Sequence, residues 1–252
     1  MEFIDCSKWN GPFDWQKSVN KGVEGAWLKA SGCGIGGNYV DYRFKENSQS
    51  CPLPYKGSYH YFDYEGRKSG ADQCKFFLDT VGNFGNLRGV LDLEDNSGHG
   101  WVKLSSVMGN AMKEALSWVN QYFLECGHWP ILYLNTGLTI LQQWTVTGYK
   151  YTFRNFTECP LWVANYNDIQ VPPTGAWETY AAWQWTSGGD GLAYGNSPGN
   201  VSIDLNRINN LNALLKPGIT IEDPVIIPPV VVDYTDKQKL DILWEAYKTY
   251  TK

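Results

Sequence analysis

Gly89-Val90-Leu91-Asp92-Leu93-Glu94-Asp95 sets an apolar run directly before two carboxylates separated by one residue. Read as a strand, alternation puts Val90, Asp92 and Glu94 on one face and Leu91 and Leu93 on the other. Acids at the end of a buried strand are costly to desolvate and are kept where they have a task. Paired carboxylates of unequal pKa are the equipment for cleaving glycosidic bonds. One acid must protonate the leaving oxygen, and a negative group must stabilise the oxocarbenium-like centre. Glu94 lies farther toward the strand end and reaches farther, so it is the better proton donor. Its pKa must then be raised, which Asp92 and other nearby acids can do by like-charge repulsion. Residues two apart on a strand have Cα atoms roughly 6.5–7 Å apart, so spacing alone leaves retention and inversion both open. Taken alone, the pair also fits a solvated strand end or a structural ion pair.

Outward from this stretch, short apolar strands alternate with helical segments. Strands are expected at Phe3–Asp5, Gly25–Lys29, Gly57–Phe62, Arg88–Glu94, Pro130–Asn135, Leu161–Tyr166, Tyr180–Trp185 and Val201–Asp204. Helices are expected from near Asp14, over Ser69–Val81, and through Ala111, Ala115, Trp118 and Tyr122, which fall at helical spacing. Alternation of strand and helix argues for a parallel sheet, and eight strands for an α/β fold closed as an irregular (β/α)8, TIM-like barrel. Helical content is weak in the second half, so the irregularity is expected there.

Chemistry in such barrels sits at the C-terminal ends of the strands. The first strand ends in Asp5, the fourth in Asp92 and Glu94, and the eighth in Asp204. Closure makes the first and last strands neighbours, bringing Asp5 beside Asp204 and four carboxylates to one mouth. Singly, Asp5 fits a cap on the next loop, and Asp204 fits a cap on a helix from Leu205 to Leu215. The signal lies in the set.

The chain of 252 residues is 43% apolar, enough for a sizeable core. Its formal charge of −5 argues against a nucleic-acid surface. No apolar run is long enough to span a bilayer, so membrane insertion is not expected. The start, Met1-Glu2-Phe3-Ile4-Asp5, has neither a basic nor an apolar leader region, so no signal peptide is seen. Twelve Trp and sixteen Tyr suit both core packing and stacking on sugar rings. None of the six cysteines falls in a Cys-x-x-Cys pair, and the three histidines lack metal-ligand spacing, so neither a metal nor a cofactor is expected.

Several stretches, in order over nearly all of residues 3–215, carry a family resemblance. Ile4-Asp5-Cys6-Ser7-Lys8-Trp9-Asn10-Gly11 is followed by Phe13-Asp14-Trp15, and then by Leu28-Lys29-Ala30-Ser31. Gly57-Ser58-Tyr59-His60-Tyr61-Phe62, Leu91-Asp92-Leu93-Glu94 and Leu161-Trp162-Val163-Ala164-Asn165-Tyr166 come next, then Trp183-Gln184-Trp185 and Ile203-Asp204-Leu205-Asn206. Together they resemble the family 25 glycoside hydrolases, the Chalaropsis-type lysozymes. The resemblance implies a β-1,4-muramidase of bacterial peptidoglycan, cutting between N-acetylmuramic acid and N-acetylglucosamine. It implies Glu94 as acid/base, with Asp92, Asp5 and Asp204 as further carboxylates of the site. It also implies that the substrate's N-acetyl group is the nucleophile, oriented and charge-stabilised by Asp92. Tyr61, Tyr166 and Gln184 face the same mouth as candidate substrate contacts, joined by Lys29 and by Trp185 as a stacking platform. Core packing is the competing reading for the aromatic members. Where the family has Thr-Glu-Gly after the second strand, this chain has Ser31-Gly32-Cys33-Gly34. A Cys6–Cys33 disulfide across the first two strands is one expectation there.

The expected organisation is a catalytic barrel over 1–215, a Pro/Val/Ile-rich linker over 216–233 and an amphipathic helix over 234–252. That helix opens on a capping box at Thr235 and carries Leu240, Leu243, Trp244 and Tyr247 on one stripe. It is expected to dock on the barrel or on a partner chain. Site of action is expected to be the bacterial cell wall, for a protein that is phage-encoded (host-released or virion-associated) or secreted after loss of its leader. Two other readings stand beside the muramidase. A chitinase-like glycosidase needs further acids, where Gly89 and Val90 stand here. A non-catalytic wall-binding or virion structural module predicts a crippled acid set, whereas all four acids are present.

Overall fold

The computed structural model describes residues 1–63, 65, 67–94, 101–135, 153–167 and 170–219. Eight strands close a barrel: β1 (Glu2–Cys6), β2 (Gly25–Gly34), β4 (Tyr55–Tyr61), β5 (Val90–Asp92), β6 (Ile131–Asn135), β7 (Leu161–Ala164), β8 (Ala182–Asp190) and β9 (Ser202–Ile208). A short β3 (Gly37–Val40) adds to the edge of β2, and the β1–β2 pairing completes the circle. From β1 to β8 the barrel neighbours run parallel, but β9 is antiparallel to both β8 and β1. The expected irregularity is therefore a reversed last strand.

The helices begin where side chains can cap them. Asp14 accepts a hydrogen bond from the Gln16 amide at the start of α1 (Trp15–Asn20). After the seven-residue α2 (Phe44–Ser50), Ser69 does the same for the Asp72 amide in α3 (Gly70–Val81). In α4 (Trp101–Cys126), Ala111, Ala115, Trp118 and Tyr122 form the buried face at helical spacing. They join Leu91, Leu93, Leu132 and Leu134 in the outer core between sheet and helices.

A second core fills the barrel. Phe3, Trp27, Tyr55, Val90, Ile131 and Trp162 point inward, with Trp27 stacked on Trp162 at a centroid distance of 4.2 Å. Gly57 makes room for this layer, because a Cβ there would lie 2.8 Å from Trp27 Cδ1 and 2.9 Å from Leu87 Cβ. The foot is sealed by the chain after β9. Single turns at α5 (Gly191–Tyr194) and α6 (Leu211–Leu214) flank that strand, and the Leu215 carbonyl accepts from Arg88 Nε at 2.9 Å.

Three expectations need correction. The segment after Lys29 continues as strand to Gly34 and folds back through β3, where the glycine-rich sequence reads as a loop. Asp204 does not cap a helix: it lies within β9, and Asn210 caps α6. Cys6 and Cys33 are both free thiols. Cys6 pairs in register with Leu28, so Cys33 lies about 16 Å farther along the strand at roughly 3.3 Å per residue, well beyond disulfide reach. The Cys33 thiol donates instead to Asp63 Oδ2. Residues 220–233 of the expected linker and the whole of the expected C-terminal helix, 234–252, lie outside the described residues.

Candidate active site

Strand alternation and register bring the acids together. Asp5 on β1 sits directly opposite Asp204 on β9. Because β9 runs backwards, it enters the barrel from the mouth, and an acid near its start arrives level with an acid near the end of β1. Asp92 on β5 lies between Tyr61 of β4 and Tyr133 of β6. Glu94 follows just past the strand end and is half-buried. All four carboxylates line one cavity of about 240 Å³, together with Lys29, Tyr59, Tyr61, Tyr133, Tyr166 and Gln184. Liquid water takes about 30 Å³ per molecule, so this space fits a ring-sized group rather than a lone hydration site.

A buried polar network holds the floor. Trp162 Nε1 donates to Asn206 Oδ1 at 2.8 Å, and Asn206 Nδ2 donates to Asp5 Oδ2 at 2.9 Å. Gln184 Nε2 donates to the same oxygen at 3.0 Å. The Gln184 carbonyl in turn accepts from the Tyr133 and Tyr166 hydroxyls at 2.8 and 3.2 Å. Each amide is oriented by its partners, so Asp5 is fixed from two sides.

The electrostatics follow from burial and crowding. Asp204 is pushed up to about 9, first by burial and then by the Asp5 charge, its hydrogen bond to Asp5 and the Glu94 charge. Burial raises Asp5 as well, opposed by the hydrogen bonds from Asn206, Gln184 and Asp204. The two therefore titrate as a pair that shares a proton. Burial lifts Asp92 well above the usual carboxylate range, aided by the Glu94 charge and opposed by Lys29. Lys29 is lowered by burial against the pull of Asp92, Asp41 and Glu94, and its amine lies 4.3 Å from the Tyr61 ring centre. Asp92 Oδ1 is buried and has no hydrogen-bond partner among the described residues. Those residues contain no group of three or more His, Cys, Asp or Glu placed to hold a metal ion.

Of the residues singled out from the sequence, Asp5, Asp92, Glu94, Asp204, Lys29, Tyr61, Tyr166 and Gln184 border the cavity. Trp185 does not. It follows inward-facing Gln184 on β8, so its ring points to the outer core, where the Arg207 guanidinium stacks on it at 4.5 Å. Tyr59, Tyr133, Trp162, Ser7 and Trp9 line the cavity without having been singled out as site residues. Tyr59 was within reach, two places before Tyr61 on the same strand face, and Tyr133 and Trp162 follow from the same alternation on their own strands.

A barrel whose mouth gathers four carboxylates beside aromatic side chains defines the class: a glycoside hydrolase. Comparison with known proteins gives the family. A sequence model of the glycosyl hydrolases family 25 matches residues 4–191. Lysozyme M1 of Streptomyces globisporus is 26% identical over 227 residues, covering 85% of this chain and 70% of that protein. The fold resembles the lysozyme of Streptomyces coelicolor, with a TM-score of 0.62 at 22% identity, covering 83% of this chain and 92% of that one. It also resembles a muramidase of Trichobolus zukalii, with a TM-score of 0.60 at 24% identity, covering 86% and 99%. The chain belongs to glycosyl hydrolase family 25, the family of these lysozymes.

Proposed function

We propose that the protein hydrolyses bacterial peptidoglycan at the β-1,4 bond between N-acetylmuramic acid and N-acetylglucosamine. Glu94 protonates the glycosidic oxygen as the bond breaks. The carbonyl oxygen of the muramic acid N-acetyl group attacks the anomeric carbon and closes a cyclic intermediate. Glu94, now a carboxylate, takes a proton from water as that water opens the ring, which restores the acid and gives net retention. Asp92 accepts the acetamide N–H and stabilises the positive charge that develops there.

The observation that carries this reading is the buried Asp92 Oδ1 that lacks a partner, in a cavity it shares with Glu94. A buried acceptor left unsatisfied costs about 1–3 kcal/mol, and a donor arriving with the substrate removes that cost. Lys29 and the growing acetamide charge both favour ionised Asp92. Asp5, sharing its proton with Asp204, adds negative potential, while Tyr61, Tyr166 and Gln184 offer polar groups to sugar hydroxyls. The bacterial wall is the site of action on this reading. Among the described residues no helix is long and apolar enough to cross a membrane.

Digestion of purified peptidoglycan, with mass spectrometry of the new reducing ends, tests the proposal. Muramic acid ends are expected. Glucosamine ends, or no release, would overturn it.

A further inference from the structure

Beside the carboxylates, the cavity has a feature that the chemistry above does not use. Trp9 lines its rim on the 3-10 turn Lys8–Asn10 and is 71% exposed. The turn that carries it is tied on every side. Ser7 N donates to Asn10 Oδ1 at 2.8 Å, and Lys8 N donates to the buried Asp41 carboxylate at 3.1 Å. Asn10 Nδ2 donates to Asn196 Oδ1 at 3.2 Å, and the Asn10 carbonyl accepts from Ser197 N at 3.1 Å. The Lys8 ammonium sits 4.9 Å from the Trp9 ring centre and 5.9 Å from that of Tyr39. Tyr39, on the added strand β3, lies across Gly32, where a Cβ would come within 2.6 Å of its phenol oxygen.

An indole carried on a turn this firmly tied, yet left in water, gains little for the free protein, since its burial is small. The same preorganisation favours a ligand that lays an apolar face on the ring. The adjoining cavity fixes what that ligand is. Its carboxylates repel an acidic peptide, while a neutral sugar ring presents C–H groups to an aromatic face and hydroxyls to a neighbouring ammonium.

We propose that Trp9, flanked by Lys8 and Tyr39, is a platform on which a further sugar residue of the glycan strand stacks, extending the cleft beyond the cleaved bond. The proposal rests on the reading of the cleft as a glycan-cleaving site. Glycan strands stripped of their peptides are titrated calorimetrically against Glu94→Gln protein, with and without Trp9→Ala, and cleavage by the Trp9→Ala enzyme is followed in parallel. Trp9→Ala is expected to weaken binding about tenfold, the upper end for one aromatic stacking partner. It should raise KM more than it lowers kcat, and Trp9→Phe should recover most of the loss. Leu124→Ala, at another exposed apolar side chain on α4, should change neither. Unchanged binding of stripped strands would overturn the platform, as would no measurable binding at all. A loss confined to peptide-bearing strands would also overturn it, assigning the surface to the stem peptide. If the native enzyme cleaves nothing but strands still bind through Trp9, the hydrolase reading fails and the platform stands.

Discussion

Asp204 holds a proton that an exposed aspartate gives up. Its folded pKa of about 9 lies above the ordinary 3.8, so between these values the folded protein binds a proton that the unfolded chain has released. The stability contribution is full below about pH 4 and is lost as pH climbs toward 9. Asp204→Asn removes that dependence. Its melting temperature should fall less between pH 5 and pH 8.5 than that of the native protein, as read by calorimetry at several pH values. Parallel curves would show that the shared proton is not at Asp204. Glu94 is a different case: half-buried at the mouth, it is expected to matter for turnover and little for folding. Glu94→Gln should lower turnover by about a hundredfold or more with the melting temperature close to native. Near-full activity in that variant would move the proton donor elsewhere.

Among the elements, β4 shows how tightly the barrel interior is fitted. Gly57→Ala places a methyl 2.8 Å from Trp27 Cδ1 and 2.9 Å from Leu87 Cβ, and both neighbours are fully packed. Overpacking of this kind costs about 1–3 kcal/mol, which should appear as a lower urea midpoint with an unchanged slope. The sequence made much at this scale legible, because capping residues and alternation are local signals. Asp14 and Ser69 mark real helix starts, and Val90, Asp92 and Glu94 share a face as alternation requires. Alternation also opposes Gln184 to Trp185, so the failure of Trp185 to reach the cavity was itself in the pattern. Helix α2 was not legible, since Phe44 is its only large apolar residue and one residue makes no period. Nor was the direction of β9, because a strand reads the same whichever way it enters a sheet. The β2–β3 hairpin was hidden by glycines at 32, 34, 36 and 37, which read as a loop until pairing is seen.

At the scale of the molecule, the described residues that line the cavity run from Asp5 to Asp204. Among the described residues, the foot is sealed by contacts that include Lys216 Nζ donating to the Gly85 carbonyl at 2.8 Å and Ile219 N donating to the Lys216 carbonyl at 3.2 Å. A chain ended after Ile219 should therefore fold and cleave soluble glycan strands at the full-length rate, which a reducing-end assay reads directly. A large loss would assign a catalytic contribution to residues 220–252.

The pairing of β1 with β9 has a consequence for how the protein comes into being. Contacts between distant parts of a chain form late, because the intervening loop must first be closed. On the ribosome the delay is sharper, since synthesis delivers the N-terminal strands first. Asp5 emerges early but has no Asp204 to face until the last barrel strand has left the exit tunnel. The partners that orient Asp5, Gln184 and Asn206, emerge just as late. The carboxylate cluster is thus completed only once the last barrel strand has emerged, and the nascent chain stays chemically silent until then.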